Sequence, residues 1–150
     1  MRKNIFIEII TSLFILLFVY TSTSKLLDFN NFRSVLHDSP FLTGISGIVA
    51  WVLPISEILI ALLLFFPNTR LKGLFASLVI MVLFTSYIAY MVYFSEFRPC
   101  SCGGVLKQMT WKEHLIFNIF FTLLAILGVW LTKKTQKTKH IYTNQIGVSI

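Results

Sequence analysis

The chain has 150 residues, of which 56% are hydrophobic and only 13% are charged. A soluble domain keeps about a quarter of its residues charged, because its surface must be hydrated. The composition therefore excludes a soluble globular protein and favours one that is covered by lipid. The formal net charge of +7 does not indicate nucleic-acid binding, because the basic residues lie mainly at the ends of apolar segments, where they set orientation in a membrane.

Four continuous apolar segments occupy most of the chain. Each is long enough to cross about 30 Å of hydrocarbon as a helix. Helix is the expected conformation, because backbone polar groups in lipid must pair within their own segment. The segments also lack the alternation that is typical of a membrane β-barrel. We therefore predict an all-α, integral membrane four-helix bundle, with helices over about residues 5–24, 44–66, 71–94 and 111–131.

These helices predict a single transmembrane domain over residues 1–131, followed by a basic cytoplasmic tail over residues 132–150. We expect the tail to be irregular or to lie along the membrane surface. One alternative concerns the first helix, because a basic start followed by an apolar run also describes a secretory signal. Against a signal, residues 5–20 are long for a signal core, and residues 21–24 offer no clear A-x-A cleavage site.

The distribution of lysine and arginine predicts the orientation. Eight of the 13 lie at the N-terminus, in the turn after the second helix or in the tail, and five lie in or beside the loops 25–43 and 95–110. Cytoplasmic segments carry an excess of Lys and Arg. Both chain ends should therefore be cytoplasmic and both of these loops extracytoplasmic, in the inner membrane of a bacterium.

The only two cysteines of the chain, Cys100 and Cys102, lie in the second of these loops and are followed by Gly103 and Gly104. Disulfides persist outside the cytoplasm. A Cys-x-Cys bridge closes a tight ring, and such strain makes a disulfide more oxidising. The two glycines permit close approach of a partner, and Arg98 could stabilise a thiolate. The motif favours a disulfide that is exchanged over one that is structural.

Three alternatives remain for the two cysteines. A structural disulfide across so short a loop would remove little chain entropy, and so it would stabilise little. A metal site that also used His114 would still lack a fourth ligand, so no metal is expected. The two thiols could also be inert.

Glu57 lies in the middle of the second helix, where a carboxylate is costly and marks a candidate functional site. Pro54 and two alanines share its helical face, so the carboxyl group should point into the bundle. Its partner could be Lys25, at the outer end of the first helix, or Ser56 beside it. Alternatively, a protonated Glu57 only cross-links helices.

A polar stripe follows on the fourth helix, at His114, Asn118 and Thr122. His114 could accept a proton and so help to form a thiolate, or it could be an interfacial residue of the aromatic belt. Asn118 is expected to form a hydrogen bond between helices. The many Phe and Tyr side chains are expected to face lipid or to anchor the interfaces.

Several of these segments carry a resemblance to a known family. The segment Cys100-Ser101-Cys102-Gly103-Gly104 is similar to a Cys-Gly-Cys-Phe-Gly motif that is typical of one family of membrane proteins, with Gly103 in place of Phe. The likeness spans residues 5–131, where the chain resembles the methylamine utilisation protein MauE family, within the wider DoxX-like group of four-helix membrane proteins. The segments that carry it are Ser24-Lys25-Leu26-Leu27-Asp28, Ile55-Ser56-Glu57-Ile58-Leu59, Asn68-Thr69-Arg70, Cys100-Ser101-Cys102-Gly103-Gly104 and Asn118.

The resemblance implies disulfide handling outside the cytoplasm. The family is associated with maturation of a dehydrogenase whose small subunit is rich in disulfides, alongside a thioredoxin-like partner, and DoxX-like relatives are linked to quinone chemistry. By this resemblance, Cys100 and Cys102 would exchange with a periplasmic thioredoxin-like protein. Electrons would then pass to a membrane acceptor, for which a quinone near Glu57 and His114 is a candidate.

Two classes of function follow. The chain could be a quinone-linked thiol-disulfide oxidoreductase, or one with a single cysteine pair that passes electrons to another membrane subunit. The alternative is a non-enzymatic scaffold or assembly subunit of an envelope complex, in which the cysteines only shape a loop. A transporter is disfavoured, because Glu57 is the only ionisable residue in the middle of a helix and no internal repeat is evident.

Overall fold

The computed structural model describes residues 2–39, 42–94 and 110–146. Within these ranges there are five helices and no strand: α1 (Arg2–Leu27), α2 (Phe29–His37), α3 (Ser46–Phe65), α4 (Arg70–Phe94) and α5 (Trp111–Ile146). All but α2 are long and apolar enough to cross a membrane, over Ile5–Leu27, Ser46–Phe65, Arg70–Phe94 and Lys112–Thr138. The predicted all-α bundle with four membrane helices is confirmed.

The four long helices form a ring. α1 packs along α3, α3 packs against α4, α4 packs along α5, and α5 closes the ring against α1. α1 and α4 lie across the ring from each other and touch little. We call the end of the bundle with α2 and Thr110 the α2 end, and the opposite end, with the α3–α4 connection at residues 66–69, the turn end.

An apolar core fills the ring from its middle toward the turn end. Phe14 and Phe18 of α1 are buried there, and so are Leu64 of α3 and Leu74 of α4. Phe14 meets Phe121 of α5 edge to face, with the ring centroids 5.5 Å apart. The expectation that the Phe side chains face lipid is therefore wrong for these three, because large rings are also what fills the space between the helices.

Glycines allow the helices to approach closely in this core. A Cβ atom on Gly73 of α4 would lie 2.9 Å from the backbone nitrogen of Leu64, which is closer than real Cβ contacts. A Cβ atom on Gly128 of α5 would lie 3.0 Å from Cδ2 of Leu74 and 3.1 Å from Cγ2 of Ile10. Close packing of this kind matters in lipid, because the hydrophobic effect does not hold membrane helices together.

α2 lies in the loop between the first two membrane helices, where the sequence analysis placed no helix. It buries Phe32, Val35 and Leu36. Phe32 and Leu36 pack against Ala50 of α3, and the ring centroids of Phe29 and Trp51 are 4.7 Å apart. The short helix therefore covers the part of α3 nearest the α2 end.

α5 continues beyond the predicted fourth helix. We expected residues 132–150 to be irregular or to lie along the membrane surface, whereas the structure continues the helix to Ile146. Thr132 is buried, and its Oγ1 donates a hydrogen bond of 2.8 Å to the carbonyl oxygen of Gly128. The helix is therefore still packed against the bundle where the predicted tail begins.

Candidate functional site

The structure describes some of the predicted site residues and not others. Five lie outside the described residues: Arg98, Cys100, Cys102, Gly103 and Gly104. Four are described, and they come from three different helices: Lys25, Glu57, His114 and Asn118.

Lys25 of α1 and Glu57 of α3 form a buried ion pair. Lys25 Nζ lies 2.6 Å from Glu57 Oε1, and the two side chains are 11% and 2% exposed. This contact decides between the two partners considered for Glu57, because Ser56 instead donates a hydrogen bond of 2.8 Å to the carbonyl oxygen of Leu53. The carboxyl group also points into the bundle, as its helical face predicted.

Helix geometry explains how these two residues meet, although Lys25 is near the end of α1 and Glu57 is in the middle of α3. Side chains on a helix tilt toward its N-terminus. α1 and α3 run in opposite directions, so the Lys25 side chain extends back into the bundle while that of Glu57 extends toward the α2 end. The ammonium group therefore does not reach outward to water, as a lysine near a helix end often does.

All five helices contribute to the surroundings of the Lys25 ammonium group. Nζ lies 5.9 Å from the ring centroid of Phe32 on α2 and 5.7 Å from that of Phe84 on α4. These distances are within the range of about 6 Å for cation–π attraction. His114 of α5 is within electrostatic range of the same ammonium group. We call Lys25, Glu57, His114, Phe32 and Phe84 the Lys25 cluster.

One oxygen of the cluster has no hydrogen-bond donor within the described residues. Glu57 Oε2 is buried and unpaired there, although Thr21, one turn before Lys25 on α1, lies beside the carboxyl group. A buried polar atom without a partner costs about 1–3 kcal/mol. Oε2 is therefore the atom at which a proton, a water molecule or a ligand donor would be stabilised.

The polar stripe on α5 hydrogen-bonds mainly within its own helix. Nδ2 of the buried Asn118 donates to the carbonyl oxygen of His114 at 2.9 Å, and Thr122 Oγ1 donates to that of Asn118 at 2.8 Å. The contact between helices is made by Thr122, whose Oγ1 lies 3.1 Å from Oγ1 of Thr85 on α4. We expected Asn118 to form a hydrogen bond between helices. Its Nδ2 instead donates to a carbonyl oxygen of its own helix, α5.

α5 begins with a capping box, which the sequence analysis missed. The backbone N–H of Glu113 donates to Thr110 Oγ1 at 3.3 Å, and that of Thr110 donates to Glu113 Oε2 at 2.7 Å. The Thr-x-x-Glu spacing was the signal, because this exchange satisfies two donors that a helix start leaves unpaired. It fixes the point at which the chain returns from the cysteine segment, and it places His114 in the first turn of α5.

Few groups in the described part of the chain could hold a cofactor. No three side chains of His, Cys, Asp and Glu come together there in a group that could hold a metal ion. For a quinone, Glu57 Oε1 is already paired with Lys25. The half-buried imidazole of His114 could donate a hydrogen bond to a quinone oxygen, and the unpaired Oε2 of Glu57 could accept one from a quinol hydroxyl.

Comparison with protein families gives a match to methylamine utilisation protein MauE over residues 3–131. The matched range contains the Lys25 cluster and both cysteines. No curated protein and no solved structure gives a significant match.

Proposed function

The chain belongs to the methylamine utilisation protein MauE family, and on this basis we propose that it is a membrane-embedded thiol–disulfide redox protein. It assists disulfide formation in, or maturation of, extracytoplasmic proteins. Cys100 and Cys102 are the exchanging pair, and a thioredoxin-like protein is the partner. The observation that carries the proposal is the buried Lys25–Glu57 pair, which has His114 within electrostatic range and lies toward the end of the bundle to which the cysteine segment connects.

The connectivity supports this arrangement. α4 runs from the turn end to Phe94 near the α2 end, and near that end Tyr87 donates a hydrogen bond of 2.8 Å to Ser39 Oγ. Thr110 starts α5 at the same end. The segment with the cysteines is therefore attached on both sides to the end of the bundle that holds the Lys25 cluster.

Charge supports an orientation with this end outside the cytoplasm. The turn end carries eight basic residues, at the start of α1, at the start of α4 and in the last part of α5, and the positive-inside rule assigns this end to the cytoplasm. In this orientation the cysteine segment meets the oxidising compartment, where a periplasmic partner can reach it.

The proposed reaction is a two-electron exchange. A thiolate of the reduced partner attacks the Cys100–Cys102 disulfide, which gives a mixed disulfide and one free cysteine. The second thiol of the partner then breaks the mixed disulfide, so that the partner leaves oxidised and the chain holds two thiols. A membrane quinone, if bound, would supply the oxidant for these two thiols, since its reduction to a quinol would accept their two electrons and two protons as the disulfide forms again. His114 and Glu57 Oε2 are the proton-accepting groups that the cluster offers for this last step.

The experiment labels thiols in intact cells with a membrane-impermeant alkylating reagent. We expect labelling of Cys100 and Cys102 only after mild reduction, and no labelling of the double Cys→Ser variant, which is the control. Cys102→Ser cannot form the disulfide that oxidises the partner, so the thioredoxin-like partner should accumulate in its reduced form. Failure to label after reduction would contradict the exposed site. If cells with Cys102→Ser still formed disulfides in their extracytoplasmic proteins as the unchanged protein allows, the scaffold function would be supported instead.

A further inference from the structure

One exposed face of α5 changes from apolar to cationic along its length. Five side chains lie on it with alternating spacings of four and three residues, which places them on a single face of a helix. All five are exposed: Leu123, Leu127, Trp130, Lys134 and Lys137. We call them the α5 stripe. It is apolar as far as Trp130 and cationic beyond it, where the candidate span approaches its end at Thr138.

The boundary between the two parts of the stripe is held by a specific contact. Lys134 Nζ lies 4.9 Å from the ring centroid of Trp130. This distance allows a cation–π attraction, and tryptophan is typical of the headgroup level of a membrane. The contact keeps the ammonium group at the level where the apolar face ends.

The lysines of this region have no carboxylate partner within the described residues. The two ion pairs among the described residues, Lys25–Glu57 and His37–Asp38, both lie near the α2 end and so involve none of these lysines. Lys133 and, on α4, Lys72 are also exposed at the turn end. Leu74 packs against the position of Gly128, so Lys72 lies at about the height of Trp130. The stripe therefore has an excess of positive charge beside an apolar surface.

We propose that the α5 stripe binds an anionic phospholipid of the phosphatidylglycerol class. An acyl chain lies along Leu123 and Leu127, and the phosphate lies between Lys134 and Lys137. Such a lipid matches both parts of the stripe, since basic residues next to a membrane helix attract anionic headgroups. Soluble phosphate matches only the cationic part, and a zwitterionic lipid adds a positive group that the lysines repel. This site does not depend on the redox function.

The test uses the purified full-length protein in a neutral detergent. Phosphatidylglycerol or phosphatidylcholine with the same acyl chains is added, and the Tm and the lipids retained in native mass spectrometry are measured. We expect phosphatidylglycerol to raise the Tm and phosphatidylcholine to leave it unchanged. Lys134→Gln/Lys137→Gln should weaken its binding about 25-fold, because each lysine near an anionic headgroup contributes about fivefold in affinity.

Two controls are matched to this variant. Lys112→Gln removes an exposed lysine near the α2 end and should leave binding unchanged. Lys134→Arg/Lys137→Arg keeps both charges and should retain it. Equal binding of phosphatidylcholine, an equal Tm shift from glycerol phosphate without acyl chains, or full affinity of the double Gln variant would overturn the proposal. If the double Gln variant does not purify, Lys137→Gln alone should bind phosphatidylglycerol about fivefold more weakly than the unchanged protein does.

Discussion

The two ends of the bundle hold the same four helices together in different ways. Toward the turn end, Phe14, Leu64 and Leu74 fill the ring with apolar side chains, and glycine lets α4 approach α3. Toward the α2 end, a buried ion pair joins Lys25 and Glu57. Apolar packing can lose stability in small steps, whereas removal of one member of an ion pair leaves a buried charge without compensation.

The difference follows the connectivity. Near the turn end, α3 and α4 are joined by the short connection at residues 66–69. Near the α2 end, long connections separate α1 from α3 and α4 from α5. The ion pair and α2 therefore supply contacts at the end of the bundle where the chain itself holds the helices less tightly. Three substitutions test this comparison.

Glu57→Ala should have the largest effect. It leaves the Lys25 ammonium group buried without its carboxylate, and breaking a buried pair in this way costs about 3–5 kcal/mol of unfolding free energy. Unfolding of the purified protein in mixed micelles, followed by circular dichroism as the denaturing detergent is increased, measures the loss.

Two controls separate charge from volume in this experiment. Ser56→Ala, at the preceding position, removes only a hydrogen bond within α3 and should have a small effect. Lys25→Met/Glu57→Leu removes both charges and should be more stable than Glu57→Ala, because no charge is left unpaired. If the double variant were as unstable as Glu57→Ala, the effect would come from shape and not from charge.

Gly73→Ala should have an intermediate effect on the turn end. Its new Cβ atom would lie 2.9 Å from the backbone nitrogen of Leu64, so α3 and α4 must move apart. Overpacking of this kind costs about 1–3 kcal/mol. Gly44→Ala is the matched control, because nothing lies within 4 Å of a Cβ atom there. Equal stability of the two variants would show that α3 and α4 are not held as closely as the structure has them.

Thr85→Val should have the smallest effect. It removes the contact of 3.1 Å with the Thr122 hydroxyl, and hydrogen bonds between membrane helices contribute about 0.6 kcal/mol on average. Both hydroxyls also have acceptors in their own helices, which lowers the loss. A double-mutant cycle with Thr122→Val measures the coupling, and Thr135→Val, which removes only a bond within α5, is the control. A coupling of several kcal/mol would contradict this expectation.

Hydropathy was sufficient to predict the membrane helices, and the small residues beside Glu57 were sufficient to predict its buried face. The sequence could not show that Phe14 and Phe18 lie inside, because lipid is as apolar as the core and both faces of such a helix look alike. It also did not choose between Lys25 and Ser56, since the choice depends on the opposite directions of α1 and α3. α2 was missed because its few apolar residues lie among polar ones in a short loop.

The extension of α5 was missed for a related reason. A polar, basic composition after a membrane helix resembles a tail, but lysine and glutamine are also good helix formers and allow the helix to continue. The capping box at Thr110, in contrast, could have been predicted from its spacing alone.

The ion pair also has a consequence for how the chain enters the membrane during synthesis. Lys25 is near the end of α1, where its ammonium group can remain among the headgroups, and Glu57 follows 32 residues later in the middle of α3. The basic residue is thus already in place when the carboxylate reaches the lipid. We therefore expect the Lys25 ammonium group to act as a counter-charge that helps α3 to insert, so that these two helices insert as a pair.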